Sequence, residues 1–174
     1  MTYPNLGQYL APGFPGMKSS AENDNVQTLK STADTPPGLI THSDATGEYT
    51  ALPSVVGSFP AGLVLFDGEY QYQRNFQALA VSGNVPGKFL PVNVLKKGRG
   101  WATVSTAGGA TVTKGAVVKY SDDGTVSDQG THTLPGAIFK TGIMTPTANL
   151  TFDTAAVAEI EMNTMLAGAA ASTG

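Results

Sequence analysis

Ala116-Val117-Val118-Lys119-Tyr120-Ser121-Asp122-Asp123-Gly124-Thr125-Val126-Ser127 is a short β-rich run, a polar turn and a return run. Valine and tyrosine favour the pleated, half-buried surface of a strand. Asp-Gly supplies turn chemistry, with Gly124 suited to a left-handed backbone position. A strand–turn–strand unit is predicted here. Upstream, Gly62-Leu63-Val64-Leu65-Phe66, Asp67-Gly68 and Glu69-Tyr70-Gln71-Tyr72-Gln73 repeat the plan, with a two-residue Asp-Gly turn of the type I′ kind.

Working outward from these two hairpins, the chain from residue 58 onward is a series of short apolar or alternating runs broken by Gly, Pro, Asp and Asn. Phe89–Leu95 and Trp101–Val104 read as two strands around the basic turn Lys96-Lys97-Gly98-Arg99-Gly100. Thr111-Val112-Thr113, Ala137-Ile138-Phe139-Lys140 and Ala156–Met162 complete a set of seven to nine strands. In the last of these, Ala158, Ile160 and Met162 share one face and Glu159 and Glu161 the other. No run between strands has the length and period of a helix; Asn163–Ala171 is the one helical candidate, and Gly168 and its terminal position favour fraying. The expected fold is all-β, a small antiparallel barrel or sandwich.

Residues 1–57 are rich in Pro, Gly, Ser, Thr and Asn and hold neither a period of 2 nor one of 3.6. They read as a long extended N-terminal arm, separable from a β domain at 58–163, with residues 164–174 as a flexible tail. Removal of residues 1–50 is then expected to leave the β domain folded. Pro12, Pro15, Pro36 and Pro37 each fix φ and remove a backbone donor. Tyr3, Leu6, Tyr9, Leu10, Phe14 and Met17 would be exposed on a free tail, so the arm is expected to dock them on a neighbouring subunit.

Composition narrows the function. Charged residues make up 13% of the chain, about half the usual share of roughly 25%, while 21 glycines and 11 prolines supply turns. The net charge of −3 and only two arginines leave no basic field for a run of phosphates, so nucleic acid is not an expected partner. With no cysteine, thiolate metal sites, disulfides and cysteine nucleophiles are excluded. No stretch reaches the roughly 20 apolar residues of a membrane helix, and the N-terminus lacks the pattern of a secretory signal. A chain soluble when made, without a membrane partner, is expected.

Catalytic and ligand-binding patterns are sparse. His42 beside Ser43 and Asp44, and His132 among threonines, read as solvent-exposed loop histidines, since no G-x-S-x-G pattern accompanies them. Asp122, Asp123 and Asp128 lack the spacing of a calcium loop and read as turn residues. Glu159 and Glu161 are assigned to a solvated face. Gly98-Arg99-Gly100 and Gly108-Gly109 do not continue into a phosphate-binding sequence. Lys96, Lys97 and Arg99 are the basic cluster, expected to form a solvated turn. No catalytic residue, cofactor or metal site is predicted, and the chain is expected not to be an enzyme.

Several stretches carry a family resemblance: the Gly/Pro-rich lead-in, Ser58-Phe59-Pro60-Ala61-Gly62-Leu63-Val64-Leu65, Val112–Tyr120 with its Asp-Gly turn, Leu134-Pro135-Gly136-Ala137-Ile138-Phe139-Lys140-Thr141, and Val157–Met162. Over about residues 58–162 the chain resembles the cement or decoration proteins of tailed-bacteriophage capsids. The resemblance implies a structural virion protein on the capsid exterior, made in the host cytoplasm, that clamps neighbouring major capsid protein subunits. Its implied partners are that capsid protein and further copies of itself, a trimer ahead of a dimer by analogy with threefold sites. The alternative is a receptor- or carbohydrate-binding β module of a tail fibre, with Tyr70, Tyr72, Phe76 and Trp101 offering rings to sugars. A third class, a small β-barrel hydrolase, lacks a convergent acid, base and nucleophile.

Overall fold

The computed structural model describes residues 13–19, 24–31, 35–55, 59–66, 90–145 and 155–164. Nine strands run in chain order through these residues: β1 (Asn25–Ser31), β2 (Ile40–Ser43), β3 (Tyr49–Ala51), β4 (Phe59–Val64), β5 (Leu90–Thr103), β6 (Val117–Tyr120), β7 (Val126–Ser127), β8 (His132–Phe139) and β9 (Val157–Met162). No helix occurs among the described residues, and the all-β expectation holds. No described helix is therefore long and apolar enough to cross a membrane.

Strand order is β1-β3-β2-β4-β5-β9-β8-β6-β7, and β1 also pairs with β5, so the first five strands close into a barrel. Every partnership in that ring is antiparallel save β1–β3, which is parallel. The exception follows from parity. Strands that alternate in direction around a ring can close antiparallel only when their number is even, so five strands require one parallel seam. The same holds on the other side of β5. There β5, β9, β8, β6 and β7 pair antiparallel, and this second sheet is drawn shut by a parallel bridge between Val104 and Val126, with the Ser105 N–H donating to Val126 O at 3.0 Å.

β5 belongs to both sheets: residues 90–97 pair with β1 in the barrel and Gly98–Thr103 pair with β9. The expected basic turn is thus one continuous strand. At Lys96 an extra residue enters β5 against Asn25/Val26 of β1, a bulge. Gly98 then takes φ 122°, with Asp24 against the position a Cβ would fill. The strand is bent there without being reversed.

Side-chain size explains the two interiors. Inside the barrel lies a small apolar group, Leu29, Ala61, Val92 and Val94. The buried polar residues Ser31, Thr35, Thr41, Ser43 and Thr50 also come from its strands and connections, and the hydroxyls of Ser31 and Thr35 lie 3.0 Å apart. The larger core is built by β5–β9, from Ala102, Val104, Val118, Tyr120, Leu134, Phe139, Ile160 and their neighbours, and Ile40, Leu63 and Leu95 of the barrel pack into it. One apolar core therefore crosses the junction.

Three strands of the barrel, β1, β2 and β3, fall in the stretch that the sequence assigns to an arm. Their pattern is silent because most of the residues they bury are polar or small, Ser31, Thr41, His42, Ser43, Thr50 and Ala51, and Leu29 and Ile40 are too few to make a hydrophobic period. A truncation at residue 50 would remove β1, β2 and most of β3, so it would not leave the barrel intact. The predicted 116–127 hairpin is present as β6 and β7, with Gly124 at φ 81°. Thr111-Val112-Thr113 is loop, not strand. The 67–73 half of the other predicted hairpin, and the tail beyond Thr164 that holds most of the helical candidate, lie outside the described residues.

Candidate functional site

Residues 13–19 lie along the edge of β5 that β9 leaves open. The Gly16 N–H donates to Trp101 O at 2.8 Å, the Trp101 N–H to Met17 O at 2.9 Å and the Ser19 N–H to Arg99 O at 3.1 Å. Across the segment, the Phe66 N–H donates to Gly16 O at 2.8 Å, and the Phe14 ring meets Phe66 edge-on at 5.0 Å. Gly13 lies against the indole of Trp101, which is 8% exposed. Of the six arm residues singled out from sequence, Phe14 and Met17 are half-buried on their own chain; Tyr3, Leu6, Tyr9 and Leu10 lie outside the described residues. Covered in this way, Trp101 is no platform for a sugar ring. Tyr70, Tyr72 and Phe76 are outside the described residues.

The two histidines are not loop residues. His42 is in β2, 4% exposed, and its Nε2 lies 2.7 Å from the Tyr120 hydroxyl. His132 opens β8, its ring stacked on Tyr120 at 5.1 Å and set edge-on to His42 at 5.5 Å. Its Nε2 is 2.6 Å from Asp122 Oδ1. Burial pushes the Tyr120 hydroxyl up to about 12, so it stays protonated at neutral pH. Sequence separation hid this cluster: His42 and Tyr120 are 78 positions apart, and β2 was not legible.

The acidic residues are likewise dispersed among separate turn, loop and strand contacts. Thr125 donates to Asp123 from both its N–H and its hydroxyl, and Thr113 does the same to Asp128. With Asp122 on His132, the three aspartates do not converge, and among the described residues no group of three His, Asp or Glu side chains could hold a metal ion. Glu159 accepts from the Ser19 hydroxyl at 2.7 Å. Glu161, 18% exposed, takes Arg99 at 2.7 Å and Lys140 at 3.0 Å. Hydrogen bonds from Lys140 and Arg99 hold its carboxyl below the ordinary carboxylate range. Both glutamates are engaged, where the sequence predicted a solvated face; the alternation was right, but the partners come from distant segments.

Nor is the basic cluster a solvated turn. Lys96 is 6% exposed at the β5 bulge, and burial lowers its ammonium below the usual range. Arg99 is committed to Glu161. Lys18 reaches Asp24, whose side chain is 5% exposed, at 3.1 Å, beside Gly98.

Polar side chains in this molecule thus join sheet to sheet and segment to strand. The fold defines the class: an all-β protein in which a closed five-stranded barrel shares a strand with a second sheet. The chain belongs to the family described as structural cement protein (E217 gp24/Pam3 gp6), whose model matches residues 3–163. It is a structural component of a bacteriophage capsid, which cement proteins stabilise. The match takes in residues 3–57, which the sequence resemblance did not reach. No curated protein matches the chain.

Proposed function

We propose that the protein sits on the outer face of the capsid and binds across neighbouring major capsid protein subunits, acting by packing and not by catalysis. The observation that carries this is the family match over residues 3–163. Within it, Phe14 to Ser19 tie the N-terminal segment to β5 and Phe66, a fixed anchor from which Tyr3, Leu6, Tyr9 and Leu10 reach a neighbouring subunit. An arm that orders on docking loses conformational entropy at that moment, but many copies on one particle offset weak single contacts. Copies associate with one another, as trimers at threefold positions in preference to dimers at twofolds.

The test is sedimentation of capsids lacking the protein after mixing with the purified chain, with copy number measured by mass. Stoichiometric co-sedimentation is expected, and a chain without residues 1–12 is expected to keep its far-ultraviolet dichroism but to lose most of its attachment. Failure of the full chain to join the particle overturns the proposal; full binding by the truncated chain overturns the role of the arm.

A further inference from the structure

We infer that the outer edge of β1 is the seat of the arm: the proline-free run at residues 5–11 of a second copy of this chain adds a strand beside Val26 and Thr28. The inference rests on the reading that the arm reaches a neighbouring subunit, and it names that neighbour and the place of contact.

β1 has two unequal edges. One pairs with β5 along the whole strand, from Asn25 opposite Lys97 to Ser31 opposite Leu90. On the other edge β3 takes only Lys30 and Ser31, opposite Tyr49 and Thr50. Backbone groups alternate between the two edges of a strand, and the Lys30 N–H, which donates to Glu48 O at 3.0 Å, marks the edge away from β5. By that alternation the N–H and C=O of Val26 and Thr28 also point away from β5, and no described residue pairs with them on that side. Val26 is 44% exposed, Gln27 and Thr28 are exposed as well, and residues 25–29 contain neither a proline nor a charge. Proteins blunt an open edge with such groups or cover it. Elsewhere this molecule covers its edges: residues 13–19 lie on β5, and Val104 and Ser105 close on Val126.

Such an edge accepts an extended backbone. Asn5-Leu6-Gly7-Gln8-Tyr9-Leu10-Ala11 lies between Pro4 and Pro12 and carries no charged side chain, so it brings a donor and an acceptor at every position. Leu6, Gln8 and Leu10 share one face of an extended chain, and a leucine set against Val26 would cover that exposed side chain. The same copy cannot place this run there. Gly13 lies against Trp101. Val26 is opposite Leu95, six positions from Trp101 along β5, roughly 20 Å at strand spacing. Leu10 and Ala11 are within about 10 Å of Gly13 even when fully extended. Residues 13–19 moreover run toward β1, so the chain before them leads away from it. An arm passed from each copy to the next is a heterologous contact, of the kind that closes into a ring such as a trimer.

The chain has no cysteine, so introduced cysteines report the contact. One purified chain carries Val26→Cys, and a second carries a cysteine in place of one of residues 6–10, each position tried in turn. The two are mixed and oxidised, alone and on capsids lacking the protein, and the mixed dimer is identified by mass. Its yield at the best arm position is expected to be roughly tenfold or more above that with Val117→Cys, an exposed site on β6, because paired strands hold the sulfurs within bonding reach. No mixed dimer in either setting, or equal yields at Val26 and Val117, overturns the inference. Thr28→Pro removes an N–H from the open edge and none from the β5 pairing, a place where proline is tolerated. In the Val26→Cys chain it is expected to keep the far-ultraviolet dichroism and abolish the mixed dimer; an undiminished yield overturns the inference. If that variant does not fold, the cysteine pairs decide alone. Sedimentation with capsids separates the two readings. A chain that cross-links but does not sediment leaves the inference standing and removes the capsid role, whereas one that sediments without cross-linking removes the inference alone.

Discussion

Glu161 shows how alternation and partnership separate at the level of one residue. Its place on the polar face of β9 was legible from the period of two; Arg99 and Lys140, 62 and 21 positions away in the chain, were not. Because those two bases lower the carboxyl, its stabilising contribution is present above the ordinary glutamate value of 4.5 and is lost as the pH falls through the lowered one. Glu161→Gln is expected to cost about 1 kcal/mol at pH 7, the upper end for exposed pairs, since Arg99 is 42% exposed and well solvated. Denaturant midpoints should show the difference between variant and wild type narrowing below about pH 4; a gap of the same size at low pH would mean that lost packing, not charge, is responsible. His42 is the converse case. Nothing in Thr41-His42-Ser43 announces a buried imidazole, because its neighbours are as polar as those of a loop.

Among elements, those with an apolar partner face were readable and those lining the barrel were not. β6 and β9 bring Val118, Tyr120, Ala158, Ile160 and Met162 to the larger core, and their sequences show it. β1, Asn-Val-Gln-Thr-Leu-Lys-Ser, buries only Leu29 and Ser31, and a leucine and a serine make no period. β5 misleads for a different reason: Lys96-Lys97-Gly98-Arg99-Gly100 has turn composition, yet Glu161 takes Arg99, Asp24 lies against Gly98, Lys96 is buried at the bulge, and the strand continues. Residues 13–19 complete the edge of β5, and their removal can be followed at the chain's only tryptophan. Deleting residues 1–19 is expected to shift Trp101 emission to longer wavelength, raise its quenching by iodide, and cost about 2–3 kcal/mol through loss of Phe14 packing and the β5 edge bonds. Unchanged emission would mean that something other than this segment shields the indole.

For the molecule as a whole, the sequence predicts strands joined by turns but not which strands share a ring. Ring membership depends on pairings such as Asn25 with Lys97 and Arg99 with Glu161, which composition does not encode. Since Ile40, Leu63 and Leu95 of the barrel sit in the core of the second sheet, the two sheets are expected to melt together. Calorimetric and van't Hoff enthalpies should then agree at neutral pH; two resolved transitions would show that the sheets fold independently.

The shared strand also has a mechanical meaning. In antiparallel pairs the hydrogen bonds stand across the strand direction, and β5 is held this way by β1 over one half and β9 over the other. A pull along β5 loads those bonds together, in shear, whereas a pull across it would open them one after another. Between two attachment points aligned with this strand, the protein would behave as a tie-rod, and its resistance would depend on the direction in which an expanding shell draws it.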